Sequence, residues 1–170
     1  GSMTFAGGVI GVTTGQALIR DCEISGSITA TAERSDTDAY AGGVTGRYEV
    51  NPYNSGALEL DSVLVSGNVS VSGQGTSAAM AGGLVGQNNS RGNRLLITEC
   101  TVAVSVIVSA SGAEENCAAL VAGYSSEGAL TIVSVTVAEG GTLVYGRDNS
   151  SFGLTRTVLE GGYARYEGNA

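Results

Sequence analysis

Apolar and polar residues alternate along most of the chain in short stretches, and glycine-containing turns separate these stretches. Alternation with a period of two is the pattern of a β-strand that has one buried face. The longest alternating stretches share the same internal order, and they cover 17–28, 58–69, 95–106 and 130–143. The pattern therefore predicts an all-β chain built from repeats.

A short glycine-rich motif precedes each of these stretches. It reads Ala-Gly-Gly-Val-Ile-Gly from Ala6 and returns from Ala41 and Ala81, at spacings of 35 and 40 residues. A degenerate fourth copy is predicted to begin at Cys117 and a fifth at Ser151. The glycine pairs of the clear copies are expected at corners, where glycine permits a positive φ or a close approach of two backbones. These structural glycines are Gly7, Gly8, Gly42, Gly43, Gly82 and Gly83.

Aligning the long stretches places small aliphatic residues in columns, which we interpret as core positions. The first column is Ile19, Leu60, Ile97 and Ile132, and the second is Cys22, Val63, Cys100 and Val135. The two columns are three residues apart rather than two, which breaks the strand period and predicts a corner. The residues expected on the outside of this corner are Asp21, Ser62, Glu99 and Ser134.

A unit of 35 to 40 residues with three short strands is too small to bury its own apolar face, so the units are expected to coil and stack. The sequence predicts a parallel β-solenoid, or β-helix, of about four to five coils with three short strands in each. Stacked strands lie about 4.8 Å apart, which explains why equivalent positions repeat similar residues. The alternative is an antiparallel β-sandwich, which gives no reason for column-by-column similarity.

The repeats define one domain over 6–157, with units that start near residues 6, 41, 81, 117 and 151. We interpret residues 1–5 as a tag remnant and start, and residues 158–170 as a partial cap or linker. An uncovered coil exposes unpaired strand edges. We therefore expect further repeats or domains to flank this region in the parent chain, or the coils to pair end to end.

Composition excludes several kinds of chemistry. The 170 residues include no histidine and no lysine, which removes histidine-based nucleophile systems, imidazole metal ligands and the lysine of a phosphate-binding loop. We predict no cofactor and no metal. The net charge of −8 disfavours nucleic acid as a partner. No apolar run approaches the roughly 20 residues that cross a bilayer, so no membrane insertion is predicted for this region.

The cysteines do not predict a disulfide. Cys22 and Cys100 share a column two coils apart, so their Cα atoms are expected about 10 Å apart, beyond the roughly 7 Å limit for a bridge. Together with Cys117 they are interpreted as small buried residues.

The second turn, residues 47–55, is the best candidate for ligand contact because it holds the one proline and two tyrosines. Tyrosine can stack on a sugar or anchor a protein partner. The candidate ligand contacts are Tyr48, Asn51 and Tyr53. A second polar surface is expected where Ser27, Thr29 and Thr31 lie beside Asn68, Ser70 and Ser72, with Ile107 interrupting it in the third coil.

Carboxylates could still support acid–base catalysis, because pairs of Asp and Glu cleave glycans. In this sequence they do not cluster at equivalent repeat positions, so we predict no catalytic residues and no enzyme. The alternative is a glycan-active β-helix enzyme or enzyme subdomain. It would require a groove in which two carboxylates and an arginine converge, for instance Asp61 or Glu59 with Arg20.

The repeats resemble the bacterial GLUG motif. Its core reads like the Ala-Gly-Gly-Leu-Val-Gly of residues 81–86, and the segment that follows ends near a stretch like the Ser-Gly-Asn-Val of residues 66–69. The resemblance covers about residues 6–145. It implies an extracellular protein, secreted or on the bacterial surface, in which the repeats act as a rigid spacer or bind host glycan, surface protein or matrix protein. It implies no catalytic residues.

Overall fold

The computed structural model describes residues 2–34, 36–50, 53, 55–74, 78–90, 93–111, 115–125, 129–138, 155–159 and 163–169. Every regular element in these ranges is a β-strand. The strands of successive coils pair in parallel and form a β-solenoid of about three turns, which confirms the predicted fold class.

Each complete coil contains four strands. The first coil has β1 (Ser2–Gly7), β2 (Ile10–Thr13), β3 (Ala17–Arg20) and β4 (Glu23–Ala32). The second has β5 (Thr37–Gly42), β6 (Thr45–Glu49), β7 (Ala57–Asp61) and β8 (Leu64–Gln74). The third has β9 (Ala78–Gly82), β10 (Val85–Asn89), β11 (Arg94–Thr98) and β12 (Cys100–Ser111). A partial fourth coil has β13 (Glu115–Ala119), β14 (Ala122–Ser125) and β15 (Ala129–Ala138).

The coil count and the number of strands in each coil differ from the prediction of four to five coils of three strands. The additional strand arises because the glycine motif joins two strands, as Gly43 and Val44 do between β5 and β6. Ser151, where the fifth unit was expected, lies outside the described residues. The next strand, β16 (Thr155–Leu159), forms an antiparallel hairpin with β17 (Tyr163–Asn169) instead of stacking as a coil, and β17 pairs antiparallel with β15.

The strands form three sheets that run along the solenoid axis. The first sheet has the order β1-β5-β9-β13, and the second has the order β14-β10-β6-β2. The third sheet contains β3, β7, β11 and β15 on one side of a corner and β4, β8 and β12 on the other. The inward side chains of the three sheets meet in one continuous apolar core.

The two aligned columns of the sequence lie in this core. Ile19 pairs with Leu60, and Ile97 pairs with both Leu60 and Ile132 in adjacent coils. The second column follows directly after the corner, where Cys100 pairs with Val135. All members of both columns are buried except Cys22, which is half-buried in the first coil.

The corner of the third sheet is built by residues in the left-handed region. Asp21, Ser62 and Glu99 have φ angles of 52°, 56° and 48°, and all three are exposed. This conformation is uncommon for residues other than glycine. Because it recurs at the equivalent position of three coils, the chain turns at the same point in each coil. Ser134 departs from the prediction because it is buried within β15, which runs through the corner position and pairs with β17 across an irregular register there.

Glycines set how closely the coils approach. A Cβ at Gly8 would lie 2.3 Å from the carbonyl oxygen of Gly43, one at Gly43 would lie 2.0 Å from that of Gly83, and one at Gly83 would lie 1.9 Å from that of Leu120. The glycine before each of these is constrained within its own coil. A Cβ there would lie 2.0 Å from a carbonyl oxygen at Gly7 and 1.9 Å from one at Gly42 and Gly82. None of these glycines has a positive φ, so close approach is the reason for them.

The register places the fourth repeat one residue later than the sequence alignment did. Cys117 pairs with Met80, and Ala118 pairs with Ala81, so the repeat begins at Ala118. The position of Gly83 is then occupied by Leu120, above which the described residues place no further coil. Among the described residues, no carbonyl of a following coil opposes this side chain.

A second glycine ladder consists of Gly11, Gly46, Gly86 and Gly123, and it faces the preceding coil. A Cβ at Gly46 would lie 2.8 Å from the carbonyl oxygen of Gly11, and one at Gly86 would lie 2.4 Å from that of Gly46. A Cβ at Gly123 would lie 2.5 Å from the carbonyl oxygen of Gly86. A Cβ at Gly11 would meet nothing closer than 3.7 Å, which is ordinary van der Waals contact.

We expect Gly86→Ala to lower the free energy of unfolding by about 3 kcal/mol or more, because the new methyl group would force two backbones apart. Gly11→Ala, the matched control, is expected to change it by less than about 1 kcal/mol, because the site has room and alanine restricts the unfolded chain. Urea unfolding of both variants measures the difference. Equal losses would show that the ladder does not depend on contact between coils.

Candidate functional site

The second turn does not gather the three predicted contact residues. Tyr48 lies on the inward side of β6, is fully buried, and donates a 3.4 Å hydrogen bond from its hydroxyl group to the carbonyl oxygen of Gly56. Strand alternation turns it into the core, so the prediction that Tyr48 contacts a ligand is wrong. Asn51 lies outside the described residues.

Tyr53 is the candidate that reaches the surface. It lies between β6 and β7, and 92% of the residue is exposed, more than for any other large hydrophobic residue in the described ranges. An exposed aromatic ring on a connection between strands can stack on a sugar ring or fill a pocket of a protein partner. The second turn therefore offers one aromatic contact.

A flat polar surface covers the outer side of β4, β8 and β12, and we call it the hydroxyl face. Its members form three ladders from the first to the third coil: Ser27, Asn68 and Ser105; Thr29, Ser70 and Ile107; and Thr31, Ser72 and Ser109. Hydroxyl groups of adjacent coils are within hydrogen-bond distance, at 2.9 Å for Thr29 and Ser70 and at 3.3 Å for Thr31 and Ser72. Ile107, which is half exposed, interrupts the middle ladder.

The pairing of the third sheet brings Arg20 and Asp61 together. Arg20 Nε donates to Asp61 Oδ2 at 2.9 Å, and Ser62 Oγ donates to Asp61 Oδ1 at 3.1 Å. Both oxygens of this carboxylate are therefore engaged. Glu59 lies between Leu18 and Leu96 in its ladder, so its neighbours in both adjacent coils are apolar. These contacts favour a surface ion pair over acid–base chemistry.

Within the described ranges, no group of three or more Cys, Asp and Glu side chains is placed to hold a metal ion. The same part of the chain contains no helix of the length and apolarity that would cross a membrane. None of the three cysteines, all of which lie in the described ranges, forms a disulfide. Cys22 and Cys100 belong to the same column with Val63 between them, while Cys117 is buried on the outer side of the first sheet.

A second cluster lies outside the solenoid core, and the sequence analysis missed it. Tyr40 stacks on Phe5 with ring centroids 5.5 Å apart, and it packs with Met80 and Cys117 of the next coils. The buried Arg47 places its guanidinium carbon 5.3 Å from the centre of the Tyr40 ring, in a cation–π contact. Its carboxylate partner is Glu49, at 3.2 Å. The cluster therefore links outward side chains of the first sheet to Arg47 of the second sheet.

A sequence signal for this cluster was present. The residue directly before each clear Ala-Gly-Gly motif is large, namely Phe5, Tyr40 and Met80. These residues stand in register in β1, β5 and β9, so they form an outward ladder. The motif begins at its alanine and therefore does not include this ladder.

No family model, curated protein or solved structure matches this chain. The fold places the chain in the class of parallel β-solenoid repeat proteins. An assignment of function therefore has to rest on the geometry described above and on the resemblance of its repeats to the GLUG motif.

Cys100 makes the stability of the folded chain depend on pH. Burial raises the pKa of the Cys100 thiol to about 11 from its ordinary value of 9.0, although hydrogen bonds to backbone oppose the shift. The folded chain therefore keeps a proton that the unfolded chain loses, and stability falls as pH rises from about 9 to about 11. Burial also raises the pKa of Tyr48, which acts in the same direction at higher pH.

We expect the free energy of unfolding of Cys100→Val to fall less than that of the original chain between pH 8 and pH 11. The expected difference is about 2 to 3 kcal/mol, which is the contribution of the Cys100 thiol. Valine occupies the same ladder position at Val63 and Val135, so the variant should match the original chain at pH 7 within about 1 kcal/mol. Urea unfolding across the pH range tests this. Identical pH slopes for the two proteins would contradict it.

Proposed function

We propose that the chain is a non-catalytic, extracellular repeat module of a bacterial surface protein. In this role it acts as a rigid spacer and presents an adhesive surface to host glycan, surface protein or matrix protein. The bacterial and extracellular parts of the proposal come from the resemblance of the repeats to the GLUG motif. The mechanical and adhesive parts come from the geometry of the coils.

The observation that carries the spacer role is the unbroken register between coils. β4 pairs with β8 over ten residues and β8 with β12 over eleven, with no irregularity between them. The inward residues of the second and third coils are almost all buried, so these two coils are packed on both sides. Close-packed interiors resist deformation, which suits a module that holds two objects at a fixed separation.

The adhesive role is supported by two neutral surfaces on a chain of net charge −8. The hydroxyl face offers donors and acceptors in a flat array, and Tyr53 offers an aromatic ring. Sugar-binding sites use both kinds of group, and here Tyr53 lies between β6 and β7 whereas the hydroxyl face lies on β4, β8 and β12. The catalytic alternative has no comparable support, because Asp61 is paired and Glu59 has apolar neighbours.

A binding screen of the immobilised chain against glycans and matrix proteins tests the adhesive role. We expect a ligand for which Tyr53→Ala weakens binding about 5- to 30-fold, the range for the loss of an aromatic anchor. Leu18→Ala is the matched control, since Leu18 is also an exposed apolar residue. If no ligand binds the folded chain, or if both variants weaken binding equally, the adhesive role fails and the spacer role remains.

The spacer role predicts uniform rigidity. Backbone amides of β5 to β12 should exchange with solvent in one cooperative unit, with protection close to that set by global unfolding, because each coil is held by two neighbours. Native-state hydrogen exchange measures this. If the second coil opened well before the third, the module would not transmit a fixed separation.

A further inference from the structure

The first coil exposes residues whose ladder partners are buried. Val9 is 48% exposed, whereas Val44, Leu84 and Val121 are fully buried at the same ladder position. The same contrast holds at three other core ladders, where the first coil contributes Cys22, Ile24 and Ile28 and the second contributes Val63, Val65 and Val69. Val9 is exposed and the other three are half-buried, and we call these four residues and the free edges of β1 to β4 the open end. None of the described residues covers it.

Gly11 shows what shape would fit the open end. Its ladder partners Gly46, Gly86 and Gly123 must be glycine because the backbone of the preceding coil lies within 2.8 Å of a Cβ built on each of them. Position 11 is also glycine, but sterics do not require it there. Its φ is not positive, and a Cβ would meet nothing closer than 3.7 Å. Glycine is required at this ladder position only when a preceding coil stacks on it in parallel register.

At the other end of the solenoid, the described residues oppose the stacking of a further coil. Leu120 stands where Gly43 and Gly83 allow the next coil to approach, so a coil placed on the fourth coil would meet a side chain. β17 pairs with β15 there and occupies the edge of the third sheet. The fourth coil of a second copy could therefore stack on the open end only after β17 had left and Leu120 had been displaced.

The edge of β4 carries no protection against pairing. Exposed edge strands are usually blocked by charge, proline or a bulge. From Ile24 to Ala32 the strand has no charged residue and no proline, and its pairing with β8 has no irregularity. After Glu23, which begins β4, its composition is similar to that of β8 and β12, which each accept a parallel partner on both sides.

We propose that the open end is a docking surface for a further β-solenoid coil of the same repeat type, stacked in parallel. The docked coil carries glycine at the position of Leu120, so it comes from another solenoid segment and not from a second copy of this chain. Its inward aliphatic side chains cover Val9, Ile24 and Ile28, and its backbone lies against Gly11. The proposal rests on the fold alone and is independent of the adhesive role.

The test extends the chain by one coil. A second copy of residues 37–76 is placed directly before Ser2, which continues the repeat register because Ser2 pairs with Thr37. We expect the melting temperature to rise by about 5 °C or more as the open end is covered. We also expect the labelling rate of the half-buried Cys22 by a thiol reagent to fall at least about tenfold, because the docked coil buries the thiol.

Two matched variants decide whether the docking is specific. Gly11→Ala should leave the 170-residue chain unchanged but abolish both gains in the extended chain, because its Cβ would meet the backbone of the added coil. Gly43→Leu, made in the added copy alone, should do the same by reproducing the side chain of Leu120 at the junction. Circular dichroism and labelling of the buried Cys100 report whether the original coils remain folded.

Three results would overturn the proposal. The extended chain could show no rise in melting temperature and no protection of Cys22. The gains could survive Gly11→Ala, which would mean that the added segment docks in another geometry. Finally, the unextended chain could protect Cys22 as its concentration rises and sediment as a dimer, in which case a second copy covers the open end.

Discussion

The contact on which this fold depends is the approach of one backbone to the next at positions that have no side chain. Where a Cβ at Gly43 would lie 2.0 Å from a carbonyl oxygen of the next coil, any other residue would push the coils apart. Glycine in the second ladder acts between sheets as well, because a Cβ at Gly86 in the second sheet would lie 2.7 Å from the carbonyl oxygen of Ala41 in the first sheet. Because the two sheets lie close together, the core between them is filled mainly by aliphatic residues. The cluster of Tyr40 and Arg47 is buried on the outer side.

The two glycine ladders have opposite directions, and together they record which coils have neighbours. One ladder meets the following coil, and it loses glycine at Leu120, where no coil follows in the described residues. The other meets the preceding coil, and it keeps glycine at Gly11, where the structure shows no need for it. Packing therefore explains a residue at one end of the solenoid and leaves one unexplained at the other, unless a further coil is present.

The parts of the fold that repeat could be predicted from the sequence. The columns of aliphatic residues follow from one register that applies to every coil, and the corner at Asp21, Ser62 and Glu99 is marked by a local change of spacing. The parts that could not be predicted depend on contacts outside the repeat. Ser134 is buried because β17, an antiparallel strand with no counterpart in other coils, pairs with β15. Tyr48 was assigned to a surface turn because the sequence does not show that β6 continues past it to Glu49.

Function was the harder prediction for a physical reason. Ladder packing constrains inward positions and glycines, and it leaves the outward positions free, so a repeat pattern carries information about stacking and little about ligands. Thr29 and Ser70 form a hydrogen bond to each other across coils, so these hydroxyl groups are explained by contact between coils without any ligand. The two ends carry clearer information. The first coil leaves strand edges unpaired among the described residues, whereas β15 of the fourth coil already pairs with β17, so the two ends of the solenoid differ and the proposed docking of a coil has one direction.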